Sequence, residues 1–433
     1  MKTNQKNVLV AAIMLFAVNA NAQIDNLTNM SPEWIRTAAR NASTDGTDAV
    51  VYNPAGLTKQ TPGFHLSIGN QSLFRSPSHE YDLGFGTQKF EQDGSDAFLP
   101  NLFMSYTNNK WAMFGGMYIS GGGATANYPK GSINTDLISM LALMNAQGAY
   151  MEVKDQHLKA SSYYLTSTVG GSYSVNEKFS LGGGIRLLNG KNKIKAGMTL
   201  STSPLELPDA PLAVEAEDKA SSFGGVFSMN VSPSEKINMS VRYETKVALE
   251  FETTTITDDL GATVDGAKNH RDLPAVFAFG MGFNINEKFH AAAEMNYYFQ
   301  KNADWGTTMT MNGEMPLSEL AGDASTYAAS FEYKFTPKFL ASIGTVYSSF
   351  NFTDRDAYYT SIGAFETVPG NNVSVNTGFA YKVSDKLKIN CGLAKTMWAK
   401  DTKVKALNAY PYDLDVTVNN SMTTFAVGID IGF

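Results

Sequence analysis

The chain is written in short alternating runs joined by one recurring turn. A polar turn ending in lysine and then an apolar residue appears six times, at Asn109-Lys110-Trp111, Glu177-Lys178-Phe179, Glu235-Lys236-Ile237, Glu287-Lys288-Phe289, Pro337-Lys338-Phe339 and Asp385-Lys386-Leu387. Each turn is flanked by residues of alternating character. Thr423, Phe425, Val427, Ile429, Ile431 and Phe433 share one face, and Thr424, Ala426, Gly428, Asp430 and Gly432 the other. A period of two is the signature of a strand, and a short polar turn between two such runs is a hairpin. The pattern predicts fourteen strands, near 63–74, 97–106, 110–121, 159–175, 178–201, 219–232, 236–256, 272–284, 288–301, 323–335, 338–350, 372–382, 387–397 and 421–433.

The connections sort by end. Turns after even-numbered strands are short, while those after odd-numbered strands are long, running to 122–158 at the extreme. Short turns at one end and long loops at the other predict an all-β chain, a 14-stranded antiparallel transmembrane β-barrel in the bacterial outer membrane. Aromatics at the turns (Trp111, Tyr173, Phe179, Phe289, Phe335, Phe339, Tyr381) suit a membrane interface, and Phe433 closes the last strand. In such a barrel the apolar face meets lipid and the polar face lines the lumen.

Composition agrees and excludes other classes. Charged residues are 17% and aromatics 12% of 433 residues, which rules out disorder. The formal net charge of −7 argues against nucleic acid as a partner. Cys391 is the one cysteine, and the histidines at 65, 79, 157, 270 and 290 show no metal spacing, so neither metal nor cofactor is expected. No nucleophile elbow or phosphate loop appears, so no catalytic residue is assigned and the chain is not read as an enzyme.

Three segments are expected: a signal peptide over 1–22, a lumen plug or hatch over 23–62, and the barrel over 63–433. Lys2 and Lys6 precede the apolar run Val8–Val18, and Asn19-Ala20-Asn21-Ala22 offers small residues before a cut. Residues 23–62 do not alternate. Ser31-Pro32-Glu33-Trp34 reads as a helix start, with serine at the cap and proline just inside. A fourteen-stranded lumen is wide enough to need such a plug.

Tyr52-Asn53-Pro54-Ala55-Gly56-Leu57, placed before the first strand of an exported barrel, resembles the FadL/TodX-type outer-membrane transporters of hydrophobic compounds. Ala38-Ala39-Arg40-Asn41-Ala42 and Asp48-Ala49 are similar to that family's hatch. The resemblance implies passive uptake of long-chain fatty acids or similar hydrophobic molecules by a monomer in contact with outer-membrane lipid. It implies capture on an apolar outer groove, a lumen site beside the hatch, and sideways exit at a kink in the third strand. Asn53, Pro54 and Ala55 would then be hatch residues near that gap. A general diffusion porin or a structural or adhesion barrel is the alternative.

Candidate transport residues follow from the pattern. Gly115, Gly116, Gly121, Gly122 and Gly123 are where the third strand could kink. Thr135 and Asp136 read as the start of a short loop helix whose apolar stripe, Leu137, Met140, Leu141 and Met144, could capture ligand. Met309, Met311, Met315 and Leu317 could complete that groove. Arg186 and Arg242 face inward at mid-height, where they could hold an acidic head group or pair with Glu244, Glu294 or Asp430.

Overall fold

The computed structural model describes residues 31–433 except 85, 311–312, 366–369 and 408–412. The expected signal peptide and Met311 lie outside the described residues.

Fourteen strands of the described residues close into an antiparallel barrel. The first half comprises β1 (Gly63–Arg75), β2 (Ser95–Thr107), β3 (Trp111–Tyr128), β4 (Glu152–Asn176), β5 (Phe179–Ser201), β6 (Ala210–Ser234) and β7 (Ile237–Glu244). The second half comprises β8 (Ala275–Asn284), β9 (Phe289–Phe299), β10 (Ala324–Lys334), β11 (Phe339–Phe350), β12 (Asn372–Ser384), β13 (Leu387–Trp398) and β14 (Ser421–Gly432). Each strand pairs with its neighbours in sequence, and β14 returns to β1 with Ile429 opposite Ile68. Closure leaves no free edge, which a lipid environment requires.

The two faces are inverted relative to a soluble protein. Outward Ile185 and Phe227 are each 60% exposed, whereas inward Ser180 and Asn230 are each 0% exposed. Aromatic rings follow one another along the rim of short turns. Tyr333 meets Phe335 at 4.9 Å, Phe335 meets Phe339 at 5.8 Å, and Phe339 meets Phe379 at 5.9 Å between centroids. Phe64 packs on the terminal Phe433 at 5.7 Å, so the last residue joins the same belt.

One expected strand is broken. Residues 236–256 read as a single run, but β7 stops at Glu244 and a separate strand, Glu250–Asp258, begins beyond it on β6. Asp272 causes the break. Its carboxylate accepts the Leu249 amide N–H at 3.0 Å and pairs with the Lys246 ammonium at 2.9 Å. Val247 bridges Leu273 instead of β6. Val247 and Leu249 turn inward and are buried with Tyr164, Leu188 and Phe251.

Residues 31–60 occupy the lumen. They form α1 (Pro32–Thr37), α2 (Ala49–Tyr52) and a 3-10 turn, Pro54–Lys59. The Ser31 hydroxyl accepts the Trp34 N–H at 3.0 Å, with Pro32 just inside the helix as its sequence predicts.

The long loops pack into a cap over the outer mouth. Its sheet runs Thr402–Ala406, Leu414–Asn419, Ser78–Asp82, Thr87–Glu91, and α3 (Ile133–Asn145), α4 (Leu317–Ala321) and α5 (Arg355–Ile362) flank it. Tyr81, Tyr128, Ile133, Trp305, Tyr358 and Val416 belong to one buried cluster. A loop layer with its own apolar core is an ordered lid rather than a fringe of loose turns.

Candidate functional site

The hatch is seated by circling the inner wall against the order of the strands. Pro32 lies on β1 and β14, where Gly69 and Gly428 face it. Ile35 and Arg36 lie on β12 and β13, at Gly378 and Gly392. Thr37 and Ala38 press on Gly344 of β11, and Asn41 and Ala42 press on Gly280 of β8. A Cβ on Gly280 would sit 2.6 Å from the Ala42 nitrogen, and one on Gly392 would sit 2.8 Å from the Arg36 nitrogen. These glycines are notches: only a residue without a side chain lets the hatch backbone come so near.

Polar bonds complete the seating. Glu294 Oε2 on β9 accepts the amide N–H groups of Arg40 at 2.6 Å and Asn41 at 2.7 Å. Within the hatch the Arg40 guanidinium binds Asp48 with both arms, at 3.0 Å and 2.7 Å, while the Ser31 hydroxyl donates to Asp48 at 2.7 Å. Both Arg40 and Asp48 are buried, so each needs the other.

Asn53, Pro54 and Ala55 are pinned to β4, β5 and β6. Asn53 Nδ2 donates to Asn230 Oδ1 at 2.7 Å, and Asn53 Oδ1 accepts the Gly56 N–H at 3.2 Å. Ser172 donates to the Pro54 carbonyl at 2.6 Å and Ser180 to the Ala55 carbonyl at 2.8 Å. Their contacts are with this wall. It is Val50 of α2 that reaches β3, 3.2 Å from where a Cβ on Gly116 would stand.

Above the hatch lies a chamber with about 140 Å³ of free volume. Trp34, Val51 and Tyr52 form its floor; Tyr118, Tyr298, Phe350 and Trp398 line its sides. Below the hatch a polar vestibule opens between the short turns, lined by Lys59, Lys178, Lys288 and Glu332. The hatch therefore divides the lumen into an aromatic upper space and a charged lower one.

Arg186 and Arg242 both reach the chamber and converge on one carboxylate, Glu244. Arg242 Nε lies 3.1 Å from Glu244 Oε1, and its Nη1 donates to the Val51 carbonyl of the hatch. Of the acids that alternation placed inward, Glu244 is the partner; Glu294 serves the hatch backbone and Asp430 pairs with Lys388 at 2.8 Å.

The third strand leaves its partner part-way up. β2 and β3 are paired from Thr107↔Ala112 to Leu102↔Met117, and no ladder pairing joins them beyond that point among the described residues. β3 stays on β4, with register shifts at Ile119/Gly121 and Gly122/Ala124. Gly122 has φ +65°, the left-handed conformation that favours glycine. Thus Gly121, Gly122 and Gly123 lie at these register shifts, whereas Gly115 and Gly116 lie in the regularly paired part. Leu73, Leu99, Ile119 and Met422 pack together behind this seam. Leu73 and Met422 also line the chamber.

The loop helix starts earlier than its sequence suggested. Ser132, not Thr135, is the cap, and Thr135 returns its hydroxyl to the Ser132 N–H as the other half of a capping box. Its stripe is split. Leu137 is buried in the cap core, Met140 and Leu141 are half-buried, and Met144 is 67% exposed. Leu317 is buried in that core too, while Met309 is exposed and Met315 packs against it. Among the described residues no group of His, Cys, Asp and Glu could hold a metal ion.

The family model "Outer membrane protein transport protein (OMPP1/FadL/TodX)" matches residues 11–433. No curated protein sequence matches the chain. Solved structures are similar in fold. A Pseudomonas aeruginosa FadL homologue aligns at TM-score 0.69 and 14% identity, covering 94% of this chain and 99% of that one. The Ralstonia pickettii toluene transporter TbuX aligns at 0.61 and 15%, covering 94% and 99%. The Pseudomonas putida toluene transporter TodX aligns at 0.61 and 14%, covering 90% and 96%. The barrel, its hatch and the full-length match make one conclusion: the chain belongs to the OMPP1/FadL/TodX family of outer-membrane transport proteins.

Proposed function

We propose that this protein is a passive uptake channel for hydrophobic small molecules, which enter through the cap, rest in the chamber and leave sideways between β2 and β3. The observation that carries this reading is the juxtaposition of the aromatic chamber with the unpaired seam. The hatch fills the straight path, and Leu73, Leu99, Ile119 and Met422, from β1, β2, β3 and β14, pack as one cluster of which Leu73 and Met422 line the chamber. A molecule that prefers lipid gains by leaving there, because it never crosses the charged vestibule. The relatives described as toluene transporters fit such a cargo.

Leu99→Trp tests the exit. An overfilled gate costs about 1–3 kcal/mol to pass, so uptake of a labelled alkane or fatty acid into proteoliposomes should fall about tenfold or more. Binding of the same compound in detergent should stay unchanged. Wild-type uptake would defeat the lateral route.

Two guanidinium groups share Glu244 at the chamber wall, so not all of their N–H donors are taken up by that one carboxylate, and Glu294 lines the same chamber. Arginine donors of this kind favour a carboxylated amphiphile over a neutral hydrocarbon. Arg186→Met should then weaken binding of a long-chain fatty acid about tenfold while leaving its alcohol analogue unaffected. Equal loss for both compounds would remove the head-group role.

A further inference from the structure

The outward face of β4, β5 and β6 changes character abruptly with height. On β5 the outward residues Leu181, Ile185 and Leu187 are apolar and exposed. Asn189 follows on the same face, and beyond it come Lys191, Lys193 and Lys195, with side chains 52%, 39% and 58% exposed. Lys219 on β6 and Lys159 on β4 share that face and that exposure class.

Height places these lysines at a lipid headgroup layer. Lys191 is twelve residues above Phe179, the aromatic at the short-turn rim, with no register shift between them on β6. At ~3.3 Å per residue and a tilt of ~40°, that is about 30 Å. The apolar band of such barrels is ~25 Å tall. The row therefore begins where the hydrocarbon ends on the side of the cap.

The register makes the row costly by itself. Lys159 stands directly opposite Lys195, and Lys191 directly opposite Lys219. Like charges directly across a sheet repel. Glu217 bridges Lys191 at 3.2 Å and Lys219 at 3.4 Å, and Glu215 lies 2.7 Å from Lys193 and 3.5 Å from Lys195, whereas Lys159 has no such carboxylate among the described residues. Glu252 faces Lys219 from the adjoining strand. Five lysines against three glutamates leave the face cationic, and its β4–β5 half bears no carboxylate at these positions.

We propose that this lysine face binds the phosphorylated headgroup of the outer-leaflet glycolipid, with a phosphate seated between Lys159 and Lys195. A lipid is the partner because the face continues the lipid-facing surface without a break. A phosphate-bearing one is the partner because the paired lysines lack enough anion of their own. Anchoring there would hold the barrel at fixed depth and orient the cap toward the outside.

The test titrates diphosphoryl lipid A, and the same lipid stripped of its phosphates, onto the full-length protein in neutral detergent. The phosphorylated form should bind about tenfold or more tightly. The triple variant Lys191→Gln, Lys193→Gln, Lys195→Gln should lose that preference. The double variant Glu215→Gln, Glu217→Gln should increase it, a gain that misfolding cannot mimic. Equal binding of both lipids by the wild type, or an undiminished preference in a folded triple variant, would overturn the proposal. So would a double variant with no gain.

Discussion

Gly344→Val should unseat the hatch and make a closed barrel conduct ions. Position 344 faces the lumen on β11, and any Cβ there meets the Thr37 carbonyl. The hatch has little freedom to yield. Ala38 already adopts φ 69°, a left-handed conformation strained for alanine, and ends α1. Two and three residues on, Arg40 and Asn41 are tied to Glu294. Overpacking a fitted site costs about 1–3 kcal/mol, and here the load falls on a segment that can move as a unit into the vestibule. Planar-bilayer recordings should show no steady current for the wild type and frequent openings for the variant. Gly183→Val is the control, since a Cβ there meets only Val226 and Phe227, at 3.5 Å and beyond. A silent Gly344→Val channel, folded as judged by heat-modified gel mobility, would mean that the notch does not hold the hatch.

Acid should loosen the cap through His79. Its ring is buried against Phe90 and Tyr128, at 5.3 Å and 5.2 Å between centroids. Its Nε2 accepts the Ile133 N–H at 3.0 Å, at the start of α3. Burial pushes its pKa down to about 3. In an opened cap the same imidazole returns to ~6.5. Above pH ~6.5 both states are neutral and the full packing stability is present. As pH falls from there toward 3, the open state binds a proton that the closed state refuses, and stability drops. At pH 4.5 the loss is about 2–3 kcal/mol. Hydrogen exchange of the α3 amides, corrected for intrinsic rate, should show protection falling by that amount between pH 7 and pH 4.5. His79→Gln keeps an acceptor without the titration and should flatten the dependence; an unchanged slope would assign it to other groups.

The barrel was legible because lipid imposes a strict rule on every second residue. Strand number, inverted faces and the sorting of short turns from long loops all follow from that alternation. The break after Glu244 was not legible, because Lys246 and Val247 continue the alternation and only Asp272, from the next connection, bends the chain away. The start of α3 was misplaced by one capping box, in which Ser132 and Thr135 are both credible caps and geometry selects the first. Leu137 and Met144 share a helical stripe, yet one is core and the other exposed, since amphipathicity says nothing about what covers a face. Alternation put Arg186 and Arg242 inside, and offered three acids as partners; choosing Glu244 needed the cross-strand register. The glycine notches carried a readable signal, small residues recurring on the lumen face, but which glycine meets which hatch residue depends on a path the hatch sequence does not encode locally.

That path has a consequence for the order of assembly. The hatch leaves the ribosome and enters the periplasm before any strand, yet its partners are spread over the whole chain. Glu33 is bound by Asn390, a separation of 357 residues, and the Ile35 carbonyl by Asn376, a separation of 341. Contacts this non-local bring no gain until the loops between them are closed. Docking of the hatch is therefore bound to be a late event, completed together with the pairing of β14 on β1. A barrel closed in a slipped register would present its notches one residue out of step, with side chains where the hatch needs glycine. The plug thus acts as a gauge of correct closure, tying the first segment made to the last strand added.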